Sequence, residues 1–92
     1  MSEYAARQWA ATQNTLSTTA ELIFAARPTR TRARIRNTNG TIAVFIGDSD
    51  AVTSSTGWQL AALSEVDVFT TGAIYAIAAS ATPVVSLIEE YN

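Results

Sequence analysis

The chain has 92 residues, which is the length of one domain, and its formal net charge is −2. It contains no cysteine, histidine or lysine, which excludes disulfides, thiolate or imidazole metal sites and most nucleophile–base pairs of enzymes. We therefore expect a protein that is not an enzyme and that uses no cofactor.

The charges are divided between the two parts of the chain. Residues 1–40 hold all six basic residues and two glutamates, and so carry +4. Residues 41–92 hold six acids and no base, and so carry −6. This asymmetry predicts either a polar partner or neutralisation of one part by the other, within a protomer or between protomers. No apolar run has the length of a transmembrane helix and no signal peptide is recognisable, so we expect no membrane contact.

Residues 1–17 differ in composition from the rest, being rich in Ala, Thr, Gln and Asn with two isolated aromatics, Tyr4 and Trp9. A short helix over residues 2–11 fits this composition, although a helix of about ten residues is marginal alone. We predict that residues 1–17 are an arm that becomes ordered on a partner or a neighbouring subunit. A disordered terminus is the alternative. Residues 18–92 would then form the folded domain.

The first strand of that domain is predicted over residues 18–27, with Leu22, Phe24 and Ala26 on one face. The next stretch, residues 31–47, predicts a β-hairpin. Its first strand places arginines at every second position, which is the period of a half-buried strand. Asn39-Gly40 is typical of a type I′ turn, which needs positive φ at both residues. The apolar run 42–46 then predicts a strand that is covered on both faces.

Further short strands follow with turns between them. The sequence predicts strands at 58–61, 65–70, 73–79 and 84–91, with one more short strand conceivable at 51–53. In the 65–70 segment, Val66 and Val68 should face inward and the acids outward. Six to seven strands at intervals of about 8–12 residues are typical of a small antiparallel β-sandwich or barrel. The predicted fold class is therefore all-β, jelly-roll-like, with an N-terminal arm.

Two acids in the turn after residue 47 are candidate ligands for a hard cation, because such ions prefer carboxylate oxygens. Asp48 and Asp50 lack the glycine and glutamate of a calcium-binding loop. A turn capped by side chains is the simpler interpretation, and we expect no metal site.

The arginine stripe is the sharpest feature, and it consists of Arg30, Arg32, Arg34 and Arg36. Its simplest interpretation is pairing with Glu65, Asp67 or Glu89 on an adjacent strand or subunit. A protein partner is the second interpretation. Single-stranded nucleic acid is the third, with Phe45, Trp58 and Tyr75 as stacking platforms. A pI of about 4.8 argues against it, and we do not expect nucleic-acid binding.

Several segments together resemble small β-rich proteins from the structural gene cluster of tailed bacteriophages. These are the residues Ile35-Arg36-Asn37-Thr38-Asn39-Gly40, Val44-Phe45-Ile46-Gly47-Asp48-Ser49, Val52-Thr53, Thr71-Gly72-Ala73-Ile74-Tyr75-Ala76-Ile77-Ala78-Ala79 and Glu89-Glu90-Tyr91. Such proteins are similar to capsid decoration (cement) proteins or to the compact base of a head fibre. The chain departs from similar sequences at Ala62-Leu63-Ser64, where a Pro-Gly or Ala-Gly turn is usual.

The resemblance implies a non-enzymatic virion protein on the capsid surface, which stabilises a phage head by binding the major capsid protein. It also implies a homo-oligomer, which two strands that are apolar on both faces support independently, and we favour a trimer over a dimer. The partner-binding residues would be Arg7, Trp9, Arg30, Arg32, Arg34 and Arg36. The alternative is a carbohydrate- or receptor-binding module of a phage head or tail fibre, with the loop 51–58 as binding edge and Trp58 as the sugar-stacking face.

Overall fold

The computed structural model describes residues 8–92, and these residues form eight β-strands and no helix. The strands are β1 (Gln8–Thr15), β2 (Glu21–Phe24), β3 (Arg30–Asn37), β4 (Val44–Gly47), β5 (Trp58–Leu60), β6 (Glu65–Val68), β7 (Ile74–Ala78) and β8 (Val84–Tyr91). They form two four-stranded sheets: sheet A has the order β1-β8-β3-β6, and sheet B has the order β2-β7-β4-β5. All neighbouring strands pair antiparallel. The prediction of a small antiparallel β-sandwich is confirmed.

The chain changes sheet at almost every connection, and only β4 and β5 follow each other within one sheet. Eight strands in two sheets with this order form a jelly roll. The predicted hairpin over residues 31–47 is wrong, because β3 lies in sheet A and β4 in sheet B. Asn39 makes a different turn from the predicted one: its Oδ1 accepts hydrogen bonds from the backbone N–H groups of Thr41 and Ile42, at 2.8 and 2.7 Å. Gly40 does not adopt positive φ, so the link is an Asx turn that carries the chain across the sandwich.

The core lies between the two sheets and is built from the inward-facing residues of six strands and from Leu16, which follows β1. In β3 the inward residues Ala33 and Ile35 alternate with the arginines, as the period-2 pattern predicted. The buried apolar residues that form this cluster are Leu16, Phe24, Ala33, Ile35, Val44, Ile46, Leu60, Ile74, Ala76, Ala78, Val85 and Leu87. The inward alanines of β7 are small, which allows close approach of the two sheets.

Asn37 is the buried polar residue that ties the end of β3 to the opposite sheet. Its Nδ2 donates to the carbonyl oxygens of Ile42, Leu60 and Ala61, at 2.8, 3.2 and 3.3 Å. Its Oδ1 accepts a hydrogen bond of 3.0 Å from the backbone N–H of Asn39. One side chain therefore satisfies four backbone groups where the chain leaves sheet A, which removes their desolvation cost.

The helix predicted over residues 2–11 is wrong for residues 8–11, which belong to β1, and residues 2–7 lie outside the described part of the chain. β1 pairs with β8 from Gln8 opposite Tyr91 to Thr15 opposite Val84 without a break in register. The sequence did not predict this strand because Gln8–Thr15 shows almost no apolar alternation. Nearly every residue of β1 is exposed, whichever face of the sheet it lies on.

β2 is shorter than the strand predicted over residues 18–27, and the prediction that Leu22 and Phe24 lie on the same face is wrong. A β-bulge between Leu22 and Phe24 turns Phe24 into the core while Leu22 remains exposed. By contrast, β6 has Val66 and Val68 packed against the core, as predicted, and the predicted last strand matches β8. The conceivable strand at 51–53 is a loop.

Candidate functional site

The outer face of sheet A carries a ladder of alternating charges. Three arginines of β3 face outward and reach carboxylates on both neighbouring strands. We call this set the arginine–acid ladder, and it consists of Arg32, Arg34, Arg36, Glu65, Asp67 and Glu90. Three positive and three negative side chains make this face neutral overall. The prediction that the stripe pairs across strands is confirmed, and the pairs lie within one chain.

The centre of the ladder is the pair of Arg34 with Asp67, which lie directly opposite each other on β3 and β6. Arg34 donates from Nε to Asp67 Oδ1 at 2.6 Å and from Nη2 to Oδ2 at 3.1 Å, so the pair is bidentate. The hydrogen bond from Arg34 lowers the pKa of Asp67 below its usual value, and the charges of Arg34 and Arg32 lower it further. The same hydrogen bond raises the pKa of Arg34. Both groups are therefore ionised at any ordinary pH.

Arg32 and Arg36, on either side of Arg34, pair with the other acids of the ladder. Arg32 Nε donates to Glu90 Oε1 at 2.8 Å, across to β8. Arg36 Nη1 lies 3.0 Å from Glu65 Oε1, and Glu65 Oε2 lies 3.2 Å from Arg34 Nη1. The ladder thus explains much of the charge asymmetry: the basic β3 lies between strands that carry the acids. Its pairs are partly solvent-exposed, so each contributes little to folding by itself, about 0–1 kcal/mol.

Arg30 does not belong to this outer face, although it has the same sequence parity as Arg32. The register of β3 against β8 shifts between these two residues, and this β-bulge turns the Arg30 side chain inward. Its side chain is 0% exposed. The expectation that Arg30 continues an exposed stripe is therefore wrong.

Every nitrogen of the buried Arg30 guanidinium donates a hydrogen bond. Nε donates to Glu89 Oε2 at 2.9 Å, and Nη1 donates to the carbonyl oxygens of Thr70 and Gly72 at 2.9 and 2.8 Å. Nη2 donates to the carbonyl oxygen of Ala25. Arg30 thereby links β8 to the chain around Ala25, in the β2–β3 connection, and to the β6–β7 connection. Its role is structural, since no part of the side chain can reach a partner.

A second arginine covers this buried pair from outside. Arg27 Nη2 lies 3.1 Å from Glu89 Oε1, and its guanidinium stacks 3.7 Å from the centre of the Tyr91 ring. Such cation–π contact suits the planar guanidinium of arginine. One end of the sandwich is therefore closed by Arg27, Arg30, Glu89 and Tyr91.

Trp9 lies on the same outer face as the ladder, since it is directly opposite Glu90 on β8. Its side chain is 67% exposed. Beside it, small and apolar residues of β1 and β8 form the floor of a shallow groove of about 430 Å³, which Arg34 and Arg36 border. The lining includes Ala11, Gln13, Ser86 and Ile88. Arg7, the remaining predicted partner-binding residue, lies outside the described part of the chain.

Sequence reasoning missed the groove floor because it did not place β1 beside β8. The alternation in β8 was a usable signal: Val85 and Leu87 are buried, so Ser86 and Ile88 must face outward. Nothing in the sequence of Gln8–Thr15 indicated which strand it would pair with.

The β4–β5 loop, residues 48–57, is held by its own hydrogen bonds. Ser49 Oγ accepts from the backbone N–H of Ala51 at 3.2 Å, and Thr53 Oγ1 accepts from Ser55 N–H at 3.1 Å. Val52 is buried under the loop, and a Cβ on either Gly47 or Gly57 would lie within 2.8 Å of its side chain. The loop is therefore supported by its own hydrogen bonds and by Val52, and Trp58 follows it, 67% exposed.

Asp48 and Asp50 lie exposed on this loop. Within residues 8–92, no three acidic, histidine or cysteine residues come together as a metal site would require. Ser49 caps the turn, as predicted. In the same described range, no helix is long and apolar enough to cross a membrane.

Comparison with known proteins gives a fold likeness and no family. No protein-family model matches the chain, and no curated protein matches it. The stem and receptor-binding domain of the spike protein P1 from bacteriophage PM2 has a similar structure, with a TM-score of 0.65 at 18% identity over 83% of this chain. This chain spans 31% of that one. A Bacillus endospore appendage protein, which forms disulfide-linked pili, has a TM-score of 0.55 at 13% identity, over 91% of this chain and 85% of its own. At these identities the likeness shows the fold alone.

Proposed function

We propose that the protein is a non-enzymatic structural protein of a tailed-phage virion, which decorates the capsid surface by binding the major capsid protein. The sequence resemblance to phage structural proteins supports this proposal. The jelly-roll likeness to a phage spike domain supports its coarser part, a β-rich virion protein. Jelly rolls serve widely as building units of viral shells and lectins.

The observation that carries the proposal is the composition of the outer face of sheet A. It combines the exposed Trp9 and the outward Arg32 with a shallow groove that Arg34 and Arg36 border. Tryptophan and arginine are the residue types most enriched at the energetic centres of protein interfaces. The three guanidinium groups are already ordered by their carboxylates, so contact with a flat protein surface costs less side-chain entropy than it would for free arginines.

In this proposal Trp9 supplies the main part of the attachment energy and the ladder arginines supply orientation. The arginines are neutralised within the chain, so binding depends only weakly on ionic strength, unlike binding through a free basic stripe. Many copies on one shell add through effective concentration, which allows each single contact to be weak. Arg30 takes no part, because it is buried.

The experiment is co-sedimentation of the purified protein with phage heads that lack it. Trp9→Ala should lower the bound fraction several-fold, whereas Trp58→Ala, an equally exposed tryptophan on the loop end of sheet B, should bind like wild type. Raising the salt from low to moderate should change wild-type binding little. If the protein is absent from genome-filled heads that lack tails, the decoration role fails. If both tryptophan variants bind shells like wild type, the attachment does not depend on Trp9.

A receptor- or carbohydrate-binding module is the second candidate, and the internally hydrogen-bonded β4–β5 loop favours it. This loop presents Trp58 at one end of the sandwich, and aromatic faces of this kind stack on sugar rings. The PM2 spike domain with the similar fold is named for receptor binding. Binding to host-surface glycans that Trp58→Ala abolishes and Trp9→Ala preserves would favour this function over capsid decoration.

Self-association is a further part of the proposal. The outer face of sheet B carries no charged side chain, and its central strands present Phe45, Tyr75 and Ile77, with Leu22 at the edge. These are the two strands whose apolar character on both faces led us to expect a homo-oligomer. Light scattering at micromolar concentration, with and without capsids, tests self-association directly. The measured mass gives the number of copies and so distinguishes a trimer from a dimer.

A further inference from the structure

The free edge of β1 is the longest unpaired strand edge in the described part of the chain. β1 pairs with β8 through all eight residues without a register shift, and no other described strand lies on its second side. Its backbone N–H and C=O groups on that side therefore form a row that is open to an additional strand.

The other three sheet edges are protected in ways that β1 is not. β2 has four residues and a bulge, and β5 has only three residues. β6 has four residues and carries Glu65 and Asp67. In contrast, β1 has eight residues with no charge, no proline and no bulge. Short length, charge, proline and bulges are the devices by which proteins prevent edge pairing, and β1 lacks all of them.

We infer that β1 pairs antiparallel with β1 of a second copy, which joins the two A sheets into one continuous sheet. The occupant follows from length: among the described edges, the other three have four residues or fewer, so only another β1 can pair along most of this strand. Pairing between two copies of β1 also places no charged side chain opposite this uncharged strand. Such an arrangement has twofold symmetry and closes at two copies. This pairing goes beyond the proposed function and does not depend on it, and it replaces the trimer that the sequence favoured.

The twofold axis restricts the register. Directly opposite residues of an antiparallel pair lie on the same face, so the arginine–acid ladders of both copies share one face only if the paired residue numbers add to an even sum. The axis then passes through either Ala11 or Thr12. Both side chains are small and exposed, so neither register meets a steric obstacle within β1. Each register places Trp9 close to the seam, where it faces Gln13 or Thr15 of the second copy.

Cysteine cross-linking tests this pairing cleanly because the chain has no cysteine of its own. Opposite residues in an antiparallel pair have Cα atoms about 4.5–5.5 Å apart, which a disulfide can span. We expect oxidation to convert Ala11→Cys or Thr12→Cys to a cross-linked dimer in high yield. Ser54→Cys, an exposed position on the β4–β5 loop, should form little cross-linked dimer on gels run without reducing agent.

Charge substitution on β1 gives the second measurement. Ala11→Lys combined with Thr12→Lys places like charges opposite each other in either register, so the dimer dissociation constant measured by light scattering should rise at least about tenfold. Ser54→Lys, on the exposed β4–β5 loop, is the control and should dimerise like wild type. A wild-type monomer across the micromolar range, a trimer or an open polymer, or a dimer that neither β1 variant affects would overturn the pairing. Each of these outcomes leaves the capsid co-sedimentation result unchanged, so the two proposals fail separately.

Discussion

Arg30 and Glu89 form a buried ion pair of 2.9 Å that sits inside the sandwich. The pair exists because a β-bulge after Arg30 reverses the direction of its side chain relative to the rest of β3. A residue that looks like one more surface arginine in the sequence is therefore the residue that fastens two separate connections, β2–β3 and β6–β7, to β8.

Replacing Arg30 with Met should destabilise the protein by about 3–5 kcal/mol, because it leaves the Glu89 carboxylate with a weaker partner and three backbone carbonyls without a donor. The matched control is Arg36→Met, which removes an exposed pair and should cost at most about 1 kcal/mol. Chemical denaturation followed by tryptophan fluorescence measures both. Equal losses in the two variants would show that Arg30 is not the fastening residue described here.

Asn37→Asp should also destabilise strongly, by about 2–4 kcal/mol, since a carboxyl group cannot donate to the carbonyls of Ile42, Leu60 and Ala61 as the amide does. Asn14→Asp makes the same chemical change at a half-buried position of the edge strand β1 and should cost well under half as much. The comparison is made from thermal melting midpoints. A similar loss at both positions would contradict the bridging role of Asn37 between the sheets.

Gly57→Ala should displace the β4–β5 loop. The added Cβ would lie 2.7 Å from Val52 Cγ2, 2.8 Å from Phe45 Cβ and 3.1 Å from a backbone oxygen, and these atoms cannot all move aside. We expect a loss of about 1–3 kcal/mol and a shifted emission of the adjacent Trp58. Gly40→Ala is the control, because its Cβ would meet nothing within 4 Å. Unchanged stability in Gly57→Ala would show that the loop is not packed as described.

Stability should fall in acid partly through Asp67. Arg34 lowers the pKa of this carboxyl below its usual 3.8 in the folded protein. The stabilisation is therefore fully present above pH 3.8 and is lost as the pH falls through the lowered pKa. Denaturation midpoints of wild type and Asp67→Asn should converge as the pH falls from about 6 to about 2. A gap between wild type and Asp67→Asn that does not narrow in acid would exclude this contribution.

The sequence was informative where one face of a strand is buried. The alternation of Ala33 and Ile35 with arginines placed both faces of β3 correctly, and Val66 and Val68 did the same for β6, because period-2 patterning records burial directly. The cross-strand partners Glu65 and Asp67 also followed, since like charges on one face require opposite charges beside them.

The sequence failed where the deciding contacts are distant along the chain. Asn39-Gly40 is a hairpin signal only if the two flanking strands pair, and here β3 pairs with β8 and β6 instead. The β-bulges beside Arg30 and Leu22 have no recognisable local sequence pattern. Each of them nevertheless reverses the face on which the neighbouring side chains lie. β1 went unrecognised because an exposed edge strand has no buried face to impose a pattern.

The place of β8 between β1 and β3 has a kinetic consequence. β1 and β3 cannot pair with each other, so sheet A remains open until residues 84–91 insert between them. Contacts between residues so far apart in sequence must be made across large loops, and such topologies fold slowly, on the order of milliseconds to seconds. During that interval the uncharged β1 is exposed on both edges. Chaperone-free refolding at high concentration should therefore lose material to aggregation in proportion to the lifetime of this open sheet.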